Sequence, residues 1–95
     1  MSKVKVNLQE LKIVDIDGNP EKVDGFHKTI ANLIYRFAKT VDLVEVARLI
    51  NKGEPVEISK AEAKEILGIL DDPQLGVFAY VRAAIRDFFD QHDLL

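Results

Sequence analysis

Residues 72–91 constrain what this chain can fold into more than any other stretch. Asp72-Pro73 reads as a cap followed by proline at the first helical position, where a missing N–H costs nothing. On a helical wheel Val77, Phe78, Val81, Ala84, Ile85, Phe88 and Phe89 fall on one broad face, with Arg82, Arg86, Asp87, Asp90 and Gln91 opposite. Fully burying each large side chain is worth about 1.5–3 kcal/mol, so a helix this apolar on one side needs a partner surface along most of its length. The remainder of the chain should supply that surface.

With 95 residues there is room for one domain, 1–95, with one modest core. Val4, Val6 and Leu8, then Val14 and Ile16, share even-numbered positions with polar residues between the first three, the period of a half-buried strand. Leu11 and Ile13 break the register, which predicts a bulge or kink near Gln9-Glu10. Asp17-Gly18-Asn19-Pro20 is a turn signal, and a short return strand is expected over 21–24 to complete an N-terminal β-hairpin.

Helical spacing follows. Phe26, Ile30, Leu33, Ile34 and Phe37 form one stripe, flanked by Ala31 and Ala38. After a break at Thr40-Val41, Asp42 is the expected N-cap of a second helix carrying Leu43, Val46, Ala47 and Ile50, with Gly53 as its left-handed terminator. Residues 54–58 are too few for a helix and read as a short third strand. Ser59 with Glu62 is a capping box for a helix that buries Ala63, Ile66, Leu67 and Leu70. Strands first and helices after give an α+β domain, a hairpin packed on about four helices.

The chemistry that can be excluded is broad. There are no cysteines, so disulfides, thiolate zinc sites and thiol nucleophiles are absent, in keeping with a reducing interior. Residues 1–6 alternate and lack the apolar core of a signal peptide, and no apolar run is long enough to span a bilayer, so a cytoplasmic protein with no membrane contact is expected. Asp15, Asp17 and Asn19 occupy alternate positions as in an EF-hand loop, but Pro20 and Phe26 stand where glycine and glutamate are required. A plain turn accounts for them. His27 and His92, both expected to be exposed, have no second histidine and no carboxylate three or four residues on; Asp24 lies three residues before His27, but one such pair is too few for a metal site. Ser59 is explained by capping, and no Gly-x-Ser-x-Gly elbow or glycine-rich phosphate loop is present. Asp71-Asp72 and Asp87/Asp90 read as solvated carboxylates, since an acid–base pair needs a desolvated cleft. No enzyme, cofactor or metal is therefore expected.

One asymmetry stands out in a chain of net charge −3. Between Phe26 and Lys39 the charged residues are Lys28, Arg36 and Lys39, with no acid among them, and Tyr35 falls on the side of Lys28 and Lys39. This face reads as a solvated surface or as a contact for an acidic partner or a phosphate backbone. Three cations are few for a nucleic-acid footprint, and a helix-turn-helix is disfavoured because 43–52 carries few side chains that read bases.

Ile16-Asp17-Gly18-Asn19-Pro20, then an apolar helix, then Ala47-Arg48-Leu49-Ile50 before Gly53-Glu54-Pro55-Val56-Glu57-Ile58-Ser59, resembles small proteins encoded in bacteriophages and prophages. The similarity continues through 61–70 and an apolar closing helix, with Gly53 to Ser59 as its most specific part, and Phe88-Phe89 make this chain richer in aromatics at its end. The resemblance carries no catalytic residues and implies a role in virion or tail assembly. The expected function is thus non-catalytic protein–protein interaction or assembly, with a nucleic-acid-binding regulator using helix 26–39 as the alternative. Lys28, Tyr35, Lys39 and Phe89 are the candidate contacts. Phe89 and Leu75, at the margin of the terminal stripe, predict a symmetric homodimer buried around Phe89.

Overall fold

The computed structural model describes residues 3–11, 13–14, 16–19 and 26–95. Strand β1 is Val4–Val6, followed by helices α1 (Phe26–Phe37) and α2 (Val41–Asn51), strand β2 (Val56–Ile58), and helices α3 (Lys60–Leu70) and α4 (Ala79–Gln91). Short 3-10 turns lie at Leu8–Glu10 and Pro73–Leu75. This is an α+β fold. The strand paired with β1 is β2, antiparallel, with Val4 opposite Ile58, Lys5 opposite Glu57 and Val6 opposite Val56. Val6, Val56 and Ile58 point into the core, while Lys5 and Glu57 sit opposite each other on the solvent side as a favourable cross-strand pair. The return strand expected over 21–24 lies outside the described residues.

The bulge or kink expected near Gln9-Glu10 is a kink, the 3-10 turn at Leu8–Glu10. Asn7 Oδ1 accepts from Gln9 N–H at 2.9 Å, and Glu10 N–H bonds to the Asn7 carbonyl at 3.0 Å. A side-chain amide that satisfies the backbone locally competes with the strand ladder, and here it wins. The turn also switches the parity of burial. Leu8 and Ile13 are buried, while Val14 is exposed and Ile16 is fully so, at 101%. The even-numbered stripe therefore ends at Leu8.

α2 begins one cap earlier than the carboxylate at Asp42 suggests. Thr40 Oγ1 accepts from Leu43 N–H at 3.2 Å. Its end follows the sequence closely: Gly53, at φ +78°, sends its N–H to Ile50 O (2.9 Å) and Glu54 N–H reaches Leu49 O (3.0 Å), a Schellman pair. A Cβ at Gly53 would also press on the end of the Gln9 side chain, which is exposed and can move aside, so the positive φ is what calls for glycine. α3 carries the full capping box, Glu62 N–H to Ser59 Oγ at 3.2 Å and Ser59 N–H to Glu62 Oε1 at 3.0 Å.

The terminal segment departs most from expectation. Asp72 does cap, accepting from Gln74 N–H at 2.9 Å, but the helix it starts is a single 3-10 turn. Gly76 then adopts φ +68° and breaks the chain direction, and α4 starts only after Phe78. Glycine costs a helix interior roughly 0.5–1 kcal/mol relative to alanine and takes the left-handed conformation freely, which is why one long helix becomes a turn and a shorter helix. α4 buries Val81, Ile85, Phe88 and Phe89 at helical spacing. Its end is a second Schellman pair, Asp93 N–H to Asp90 O and Leu94 N–H to Phe89 O (2.9 Å), with Asp93 at φ +58°. That turn folds Leu94 into the core beside the helix it terminates.

Candidate functional site

The four candidate contact residues separate into different environments. Phe89 is 0% exposed, enclosed in the core with Ile85, Phe88 and Leu94. The expected contact through Phe89 is therefore corrected: its ring is already covered within one chain, on the apolar face of α4. Leu75, its companion at the margin, is half-buried.

Lys28, Tyr35 and Lys39 are exposed, but they do not form one face. α1 ends at Phe37, so Lys39 lies beyond the helix and helical spacing no longer places it. Instead it lines a pocket of about 420 Å³ with Phe37, Glu65, Gly68, Ile69 and Asp72. Two acids, Glu65 and Asp72, line the same pocket as the lysine. Phe37 is itself partly exposed in that pocket, where the apolar stripe of α1 predicts burial. Lys28, Asn32 and Tyr35 keep the i, i+4, i+7 spacing of a shared helical face.

Beside that face, α1 and α2 enclose a groove of about 330 Å³ lined by Ala31, Asn32, Tyr35, Ala47, Arg48 and Asn51. Its geometry follows from residue size. Ala31 and Ala47 are both buried and contribute only methyl groups to the floor, while the longer Tyr35 and Arg48 stand at its sides. The Arg48 guanidinium carbon lies 5.9 Å from the Tyr35 ring centroid, within cation–π range, and Arg48 Nη1 is 3.3 Å from Glu45 Oε1. Arg48 was outside the basic stripe read from α1 because it belongs to the next helix; only tertiary packing brings it to Tyr35.

Asp71, Asp72 and His92 take structural places, while Asp87 and Asp90 are exposed on α4. Asp71 receives Arg82 (3.4 Å) and Arg86 (3.7 Å), which ties the end of α3 to α4. Asp72 caps the 3-10 turn. His92, expected to be exposed, is half-buried: its Nδ1 is 2.8 Å from Phe88 O and its ring centroid 4.5 Å from that of Phe88. His27 is half-buried as well. Among the described residues, no group of three or more His, Cys, Asp or Glu is placed to hold a metal ion, and no helix is long and apolar enough to cross a membrane.

A feature absent from the sequence reading is an exposed aromatic pair. Phe78, 69% exposed, and Tyr80, 48% exposed, stack with ring centroids 6.1 Å apart and planes at 14°. Helical periodicity assigns Phe78 to the buried face. The break at Gly76 removes it from that face, leaving it as the N-cap of α4, and it thereby becomes the most exposed ring among the described residues. Glycine three residues after a proline, Pro73 to Gly76, was the available signal. Comparison of the chain with protein-family models, curated proteins and solved structures finds no match.

Proposed function

We propose that this chain is a non-catalytic protein-interaction or assembly protein that works in the cytoplasm, in keeping with its resemblance to small phage and prophage proteins. The observation that carries the reading is the stacked Phe78–Tyr80 pair, held out in solvent at the start of α4. Aromatic side chains combine a large contact area with few rotatable bonds, and for that reason they dominate binding hot spots. Here stacking and the backbone of the helix start restrict the rings before any partner arrives, which lowers the ordering cost of association.

The neighbouring charges favour a protein over a nucleic acid. Lys39 shares its pocket with Glu65 and Asp72, so a phosphate backbone would meet carboxylates there, and the isolated cations left on this side do not make the continuous line that a duplex needs. The test compares the wild-type chain with Phe78→Asp as bait in its native cells. The reading expects a protein that co-purifies in a fixed ratio, a second copy of the chain included, and is lost with the variant while the melting temperature is kept. Retention of nucleic acid in a salt-dependent manner, with no protein lost on substitution, would contradict it.

A further inference from the structure

The geometry points to a second contact, of defined chemistry, in the groove between α1 and α2: it takes a carboxylate-bearing segment of a protein partner, gripped by Arg48 beside Tyr35. This rests on the protein-binding reading above but concerns a surface separate from the Phe78–Tyr80 pair.

Charge complementarity carries the argument. The chain has net charge −3, yet α1 contains no acidic residue, and the groove lining contains one guanidinium and no carboxylate. Around that cation the remaining polar side chains are neutral hydrogen-bonding groups, the amides of Asn32 and Asn51 and the Tyr35 phenol. Lys28 lies on the face of α1 shared with Asn32 and Tyr35 and adds positive charge at its edge. A floor made by Ala31 and Ala47 leaves about 330 Å³, the size of a small recognition pocket. One arginine fork matches one carboxylate, whereas tracking a duplex needs a line of cations.

Arg48 is poised to exchange partners. Its ion pair with Glu45 joins two exposed side chains, 57% and 59%, and pairs of that kind contribute little. The Tyr35 ring, by contrast, positions the guanidinium on the groove side without competing for its donors. A carboxylate from a partner therefore replaces Glu45 at small cost and gains the Asn32 and Asn51 amides and the Tyr35 phenol as further hydrogen-bonding neighbours. Glu45 acts as an internal competitor in this arrangement.

The experiment uses fluorescence anisotropy on the full chain with three labelled probes: a peptide of alternating Glu and Ala, its Gln–Ala counterpart, and a short DNA duplex. The Glu–Ala peptide should bind saturably, with the Gln–Ala peptide and the duplex weaker. Arg48→Gln should weaken it about tenfold, the loss of one charge-assisted hydrogen-bond set. Glu45→Gln should instead tighten binding severalfold, a gain that no structural defect produces. Circular dichroism and an unchanged melting temperature establish that both surface variants fold. Failure of the Glu–Ala peptide to saturate, equal binding of the Gln–Ala peptide, indifference to Arg48→Gln, or tighter binding of the duplex would each overturn the assignment. If the groove fails while a Phe78-dependent partner is still captured, only this inference falls; if that partner also vanishes, the protein-binding reading falls with it.

Discussion

Substituting Phe89 and Phe78 by alanine separates core from surface within one element. Phe89 is fully enclosed, and its neighbours Ile85, Phe88 and Leu94 are themselves buried, so a truncated side chain leaves a hole that few exposed groups can move into. Phe→Ala at such sites costs about 3–5 kcal/mol, the lost transfer energy together with the residual cavity. A chain of this length has a total stability of roughly 5–14 kcal/mol, so Phe89→Ala removes a large share of it. With a urea dependence of about 1.5 kcal/mol per molar, a loss of about 4 kcal/mol lowers the unfolding midpoint by between about 2 and 3 M. Phe78→Ala removes the same atoms from a ring that is 69% exposed and should stay within about 0.5 kcal/mol of wild type. Urea denaturation followed by circular dichroism measures both, and an unchanged slope confirms that the unfolded states are comparable. Equal losses for the two variants, or a larger one for Phe78→Ala, would refute the placement of the helix break and of everything built on it.

Further expectations test individual turns. Ser59→Ala should cost about 1 kcal/mol, since it deletes the acceptor of Glu62 N–H and one half of the capping box; a midpoint identical to wild type in thermal denaturation would contradict it. Gly53→Ala should cost about 1 kcal/mol, because φ +78° disfavours any side chain while the exposed Gln9 side chain can move aside, again read from the urea midpoint. Asp93→Gly should stabilise the chain by up to about 1 kcal/mol. It relieves a left-handed aspartate and removes a negative charge from a helix C-terminus, and the melting temperature should rise by a few degrees.

What was legible in the sequence is what rests on short-range chemistry. The capping box at Ser59 and Glu62, the left-handed Gly53 and the apolar spacing of α3 appear in the structure as their residues suggest, because each is decided within a few positions. The segment at Val56–Ile58 was readable as a strand, but its pairing with β1 joins residues about fifty positions apart, which local pattern does not specify. The errors share one cause. Where two local signals compete, periodicity alone picks the wrong one: Asn7 overrides the strand pattern before Leu8, Thr40 takes the cap from Asp42, and Gly76 overrides the apolar stripe that runs through Phe78. The last of these leaves Phe78 exposed at the start of α4. The groove was half legible. Tyr35 and Lys28 were visible as a face of α1, whereas Arg48 joins them only through the packing of α2 on α1.

The central claim, that the exposed aromatic pair is a protein-binding surface, is tested most directly by placing a photo-crosslinking phenylalanine analogue at position 78 and irradiating intact cells. The variant keeps an aromatic ring at the exposed start of α4, so the fold and the contact are both preserved. A discrete covalent protein adduct is expected from position 78, with none from the same analogue at the exposed Lys64 on α3. Adducts to nucleic acid, or equal yields from the two positions, would contradict it.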